Sequence, residues 1–148
     1  MDRIEAFVEK SVEMGISRII PIICERSERR TVKTERLRKI ALSATKQSLK
    51  GTLVQIEEAM NFRDFLTERH EQILIANCEY DEAKKGIHEV IYPSKPICIM
   101  IGPEGDFSPS EVIAAISAGA KPIHLGSSRL RTETAGLVAT ATVYHLLG

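Results

Sequence analysis

Apolar residues recur at helical spacing from the start of the chain. Ile4, Phe7, Val8 and Val12 share a face with Ser11, and Gly15 stands where a left-handed cap belongs, so residues 2–14 read as a helix. The run from Arg18 to Cys24 predicts a strand. Thr34 is placed to cap a second helix carrying Leu37, Ile40, Ala41, Ala44 and Gln47, with Gly51 closing it. Leu53 to Ile56 predicts a short strand, residues 59–69 a short helix or loop, and Gln72 to Ala76 a buried strand, while Tyr80 to Ser94 is polar and carries no clear period.

Ile97 to Ile101 is the strongest strand signal. It is entered from Pro96 and left through Gly102, which suits a central parallel strand covered on both faces. Ser108-Pro109-Ser110-Glu111 has a hydroxyl cap, a proline at the first helical position and a glutamate at the third, which predicts a helix over 109–118 ending at Gly119. Pro122 to Leu125 predicts a last strand. Thr132 to Leu147 predicts a last helix, in which Ala135, Gly136, Ala139 and Ala141 permit close packing. Alternating strands and helices with short connections predict one α/β domain over residues 1–148, with a parallel sheet and helices on both faces.

At 148 residues and 43% hydrophobic, the chain can bury a core without disulfides or a structural metal. The apolar runs are far shorter than the roughly 20 residues of a membrane span. The alternating start of the sequence lacks a secretory core, so a cytoplasmic protein is expected. Cys24, Cys78 and Cys98 form no CxxC pair and read as reduced thiols; His70, His88, His124 and His145 are scattered, and no metal is expected.

The 20 basic and 20 acidic side chains are unevenly spread. Between Arg26 and Lys50 stand nine basic residues (Arg26, Arg29, Arg30, Lys33, Arg36, Arg38, Lys39, Lys46 and Lys50) against Glu28 and Glu35. Such a segment reads equally as a dock for a phosphate backbone or as a solvated helix face.

Two loops follow predicted strands, Gly102-Pro103-Glu104-Gly105-Asp106-Phe107 and Gly126-Ser127-Ser128-Arg129-Leu130-Arg131. In parallel α/β sheets ligands bind beyond the carboxyl ends of the strands, so both loops are expected to line one crevice. Gly102 and Gly105 are expected to permit a sharp turn and close approach of a ligand, although an ordinary strand-to-helix turn has the same composition. Neither GxxxxGK[ST] nor GxGxxG occurs, which excludes a P-loop at motif level and disfavours a dehydrogenase.

The segments from Ile101 to Ser108 and from Leu125 to Ala135 closely resemble the two signature loops of the RsmE family, SPOUT-class methyltransferases that act on uridine N3 of small-subunit (16S) ribosomal RNA. Ile20-Pro21, Glu25-Arg26-Ser27 and Ala44-Thr45-Lys46-Gln47-Ser48 resemble weaker segments of the family, so the likeness runs over nearly the whole chain. It implies an α/β trefoil-knot fold, a homodimer, a ribosomal RNA partner and S-adenosylmethionine as cofactor. It places the adenine against Ala76, Ile101, Gly102, Leu125 and Leu130, with Gly105 and Gly126 in the same loops. It also places residue 1 at the first helix of the catalytic domain, so that the family's N-terminal PUA-like domain is expected to be missing. Asp106 stands where the family has a second glycine, and Lys46 and Ser48-Leu49-Lys50 where it has an acidic residue and Ser-Gly-Arg.

Methylation at N3 requires loss of the N3 proton and stabilisation of the resulting anion on O2 and O4. Arg131 is the expected anion stabiliser. Glu133 and Glu104 are candidate proton acceptors, or else orient Arg131 or cap a helix. Thr132 and Thr134 read as caps. Arg26, Gln47 and Lys50 are the substrate-side candidates. The competing readings are a noncatalytic RNA-binding or ribosome-assembly module of the same fold, a SPOUT methyltransferase acting on another RNA, and a small-molecule nucleotide-binding protein.

Overall fold

The computed structural model describes residues 2–28, 30–77 and 84–147. Arg29, Cys78 and Tyr80 lie outside them. Helix α1 (Arg3–Glu13) begins at Asp2, whose carboxylate accepts from the Glu5 N–H at 2.9 Å, a cap the periodicity does not reveal. Gly15 takes the expected left-handed turn at φ +85°. The single strand expected over Arg18 to Cys24 is two short ones, β1 (Arg18–Ile19) and β2 (Ile22–Ile23). Pro21, with no N–H to donate, sits at the break.

Helix α2 (Thr34–Gln47) starts one residue earlier than expected. Thr34 is its first helical residue and donates to Glu58 Oε2 at 3.2 Å instead of capping. The turn that closes α2 is made by Leu49, at φ +57°, and not by Gly51. Strands β3 (Gln55–Ile56) and β4 (Met60–Asn61) pair in parallel with β1 and β2, and α3 (Phe62–Thr67) follows directly.

The larger ladder is built from β5 (Ile73–Ala76), β6 (Cys98–Ile101) and β7 (Lys121–Ile123), all parallel in the order β6-β5-β7. The centre is therefore β5, and not the 97–101 run. Each residue of β5 is buried. Ile73 and Ile75 face a cluster with Cys24, Phe62, Phe65, Met100, Phe107 and Ala115, whereas Leu74 and Ala76 face one with Ile87, Ile123 and Ala139. The period of two thus serves two cores, one under α3 and α5 (Pro109–Ser117), the other under α4 (Ile87–Val90) and α6 (Thr132–Leu147), which gives the expected helices on both faces.

Helix α5 carries the capping box legible in the sequence: Ser108 Oγ accepts from the Glu111 N–H at 3.3 Å, and Glu111 Oε1 accepts from the Ser108 N–H at 2.9 Å. Helix α1 packs between α2 and α6. Val8 and Val12 meet Leu37, Ala41 and Ala44, while Phe7 lies over Gly136 so closely that a Cβ there would stand 2.7 Å from its ring.

Candidate cofactor and RNA site

In register, Ala76 stands beside Ile101 on one side and Ile123 on the other, so three strand ends and their loops emerge along one edge. Asn77, directly after β5, accepts a hydrogen bond from Lys84, and Lys85 then runs beside Ile123. Thr132, at the start of α6, donates its hydroxyl to the Gly102 carbonyl at 2.8 Å. The expectation that Thr132 caps a helix gives way to this contact, which ties the second glycine loop to the first.

In the first loop, the Asp106 N–H donates to Pro103 O at 2.8 Å, and Asp106 Oδ1 accepts from the Phe107 N–H at 2.8 Å. The left-handed residue is Asp106, at φ +66°, and neither Gly102 nor Gly105 has a positive φ. Both glycines are needed for space. A Cβ on Gly102 would meet Asp106 Oδ1 at 2.9 Å and one on Gly105 would meet Arg26 Cβ at 3.0 Å. In the second loop Gly126 does take positive φ, +107°, with open space where a side chain would project.

Behind the loops, Glu111 is a buried strut, 2% exposed. Its Oε2 accepts from the Glu25 N–H at 3.0 Å while its Oε1 holds Ser108. Arg26 reaches forward from the same turn to the Gly105 carbonyl at 3.2 Å. Neighbouring Cys24 is buried, and desolvation, with the Glu111 charge second, pushes its thiol up to about 12. Cys98 is pushed up to about 11 by burial. The sequence indicated reduced thiols at both; Glu111 was visible only as a cap.

An open cleft of about 1890 Å³ borders these loops, lined among others by Ile101, Gly102, Glu104, Leu130, Arg131 and Glu133. Arg131 and Glu104 are exposed and Glu133 is half-buried. Among the described residues none of the three has a side-chain hydrogen bond or ion pair, and Glu133 lies in the first turn of α6. Arg129, not singled out by the sequence, lines the same cleft. Ala76, Gly105, Leu125 and Gly126 do not line it. Ala76 is buried at its strand end, Leu125 packs on the Leu74 cluster, Gly105 is exposed with Arg26 against one side of it, and Gly126 is exposed.

Of the substrate-side candidates, Arg26 joins the first loop, whereas Gln47 and Lys50 are exposed at the far end of α2, which packs chiefly on α1 and β3. The cationic segment is partly neutralised. Arg36 pairs with Glu5, and Arg38 with Glu35 and Glu58. Lys33, Lys39, Lys46 and Lys50 are exposed and have no acidic partner among the described residues.

A family model described as an RNA methyltransferase domain matches residues 1–144. The ribosomal RNA small subunit methyltransferase E of Rickettsia conorii is 35% identical over 150 residues, covering 99% of this chain and 61% of that protein. The protein of the same name from Aquifex aeolicus is 33% identical, covering 88% of this chain and 58% of its own length. Among solved structures, a probable rRNA-methyltransferase from Porphyromonas gingivalis superimposes with a TM-score of 0.89 at 43% identity, covering 98% of this chain and 62% of that one. A ribosomal RNA small subunit methyltransferase E from Neisseria gonorrhoeae bound to S-adenosyl methionine gives 0.89 at 33% identity, covering all of this chain and 62% of that one. This chain thus spans about three fifths of the length of these relatives.

Proposed function

The chain belongs to the RNA methyltransferase domain family, and from that premise we propose that it transfers a methyl group from S-adenosylmethionine to N3 of a uridine in small-subunit ribosomal RNA. The observation that carries the reading is local. Two glycine loops at one sheet edge are tied by Thr132 and Gly102, beside a cleft on which Arg131, Glu133 and Glu104 stand without side-chain partners among the described residues.

The residues present fit the cofactor. Of the residues that the resemblance assigns to the cofactor, Ile101 and Leu130 offer apolar contact and Gly102 close main-chain approach on the cleft, Ala76, Leu125 and Gly126 stand at the strand ends and loop beside it, and the described residues form no glycine-rich phosphate loop, which suits an adenosine carrying a sulfonium. When bound, S-adenosylmethionine supplies an electrophilic methyl group. The protein's own task is to prepare the nucleophile. Glu133, or Glu104 on the same cleft, accepts the N3 proton, and the Arg131 guanidinium holds the uracil carbonyl oxygens as negative charge develops on them. Arg26 braces the first loop, and the unpaired lysines of α2, with Gln47, meet the RNA backbone.

With ribosomal RNA as the proposed substrate, the reading includes a cytoplasmic protein. The exposed apolar end of α6, with Tyr144 at 53%, Leu146 at 41% and Leu147 at 42%, supports pairing of two copies. Calorimetric titration of S-adenosylmethionine into the parent and an Arg131→Ala variant tests the assignment. Saturable heat from both supports a cofactor site with Arg131 reserved for the base. No heat from a folded parent would remove the cofactor assignment and favour a noncatalytic RNA-binding module.

A further inference from the structure

Helix α2 ends in a Schellman motif, in which the Lys50 N–H donates to Thr45 O at 3.1 Å and the Leu49 N–H to Lys46 O at 3.4 Å. The residue that reverses the chain in this motif is left-handed, and glycine is its usual occupant because a Cβ there crowds the following carbonyl. Here it is leucine, at φ +57°. Leu49 is also 90% exposed, so burial of its side chain does nothing to offset the backbone cost. Folding alone would favour glycine, and a strained residue that the core does not require points to use elsewhere.

The surroundings indicate that use. Lys46 and Lys50 flank Leu49 and are without acidic partners among the described residues, and Lys39 lies two turns before Lys46 on the same face. Arg36 and Arg38, by contrast, are occupied by carboxylates. An apolar side chain held into solvent between unpaired cations matches a single-stranded nucleic acid, whose phosphates meet the lysines and whose exposed base face meets the leucine. A protein partner fits less well. Leu49 stands between lysines, and the core of a protein–protein interface is depleted of lysine.

We propose that Leu49 seats against an unpaired base while Lys46 and Lys50 hold the adjacent phosphates, so that the end of α2 selects single-stranded over duplex RNA. The assignment rests on the RNA reading above and names a contact residue for it. Its signature is an exchange of stability for affinity at one position.

The test is fluorescence anisotropy at low salt with a labelled uridine-rich single strand and the same strand annealed to its complement, beside thermal melts. Leu49→Gly should melt higher and bind the single strand about tenfold more weakly, with duplex binding held within about twofold; Leu49→Met should retain the preference. Lys46→Ala with Lys50→Ala should weaken both RNAs and flatten the salt dependence. If Leu49→Gly binds the single strand as tightly as the parent while the lysine changes weaken it, the leucine assignment is wrong and the RNA reading stands. If the parent binds neither RNA, both fall together.

Discussion

Thr132 Oγ1 and the Gly102 carbonyl, 30 positions apart in sequence, meet at 2.8 Å and make the two glycine loops one unit. Thr132→Val keeps the shape and removes the donor, leaving the carbonyl unpaired at a cost of about 1–2 kcal/mol. The expected outcome is a cofactor affinity about 5–30-fold lower, restored in Thr132→Ser, read by calorimetric titration. An unchanged affinity in the valine variant would mean that the loops hold their places without this contact.

Glu111 is the second tie. It satisfies two N–H groups from separate segments and is buried, so Glu111→Ala strands both donors and is expected to destabilise the fold by about 2–4 kcal/mol in urea unfolding. The same change should loosen the turn at Glu25 and Arg26 against the first loop.

Gly136 tests the seam between α1 and α6. Alanine in mid-helix ordinarily gains about 1 kcal/mol over glycine, but here its Cβ would stand 2.7 Å from the Phe7 ring, and overpacking of that kind costs about 1–3 kcal/mol. Gly136→Ala should therefore lower the melting temperature. Phe7→Leu should recover much of that loss when combined with it, and a double-mutant cycle measures the coupling.

The buried thiols give a pH dependence. Cys24 is raised to about 12 from an ordinary 9.0, so the folded chain keeps a proton that the unfolded chain releases. The stability it contributes is fully present below about pH 9 and is lost as pH rises from there through about 12. Cys24→Ala should flatten that alkaline loss in denaturant titrations. At mildly alkaline pH both Cys24 and Cys98 should resist iodoacetamide in residue-resolved mass spectrometry, and rapid labelling of the native protein at Cys24 would contradict its placement.

Much of the fold was legible because its signals are local. The Ser108–Glu111 box, the left-handed Gly15 and Gly119, and the apolar runs on either side of Gly102 each act within a few residues, and the parallel α/β class follows from their alternation, whereas the SPOUT type was legible only through the resemblance of the two loops to a known family. Pro21 split a strand that hydrophobicity alone left whole. Leu49 and Asp106 took conformations usually given to glycine, which propensity does not foretell at Leu49, although both stand where the resemblance has a glycine. The roles of Thr132 and Glu111 were hidden for another reason. Their partners lie 30 and 86 positions away, and only the packed sheet edge brings them together. The charge count likewise could not separate Arg36 and Arg38, held by carboxylates, from the lysines that have no acidic partner among the described residues.

The most direct measurement is incubation of the parent and Arg131→Ala with small-subunit ribosomal RNA and methyl-labelled S-adenosylmethionine, followed by nucleoside mass spectrometry. The prediction is N3-methyluridine from the parent, and formation slower by about 10²–10³ in the variant although both bind cofactor. Methyl groups found on ribose or on another base, or none at all from a cofactor-bound parent, would contradict the account.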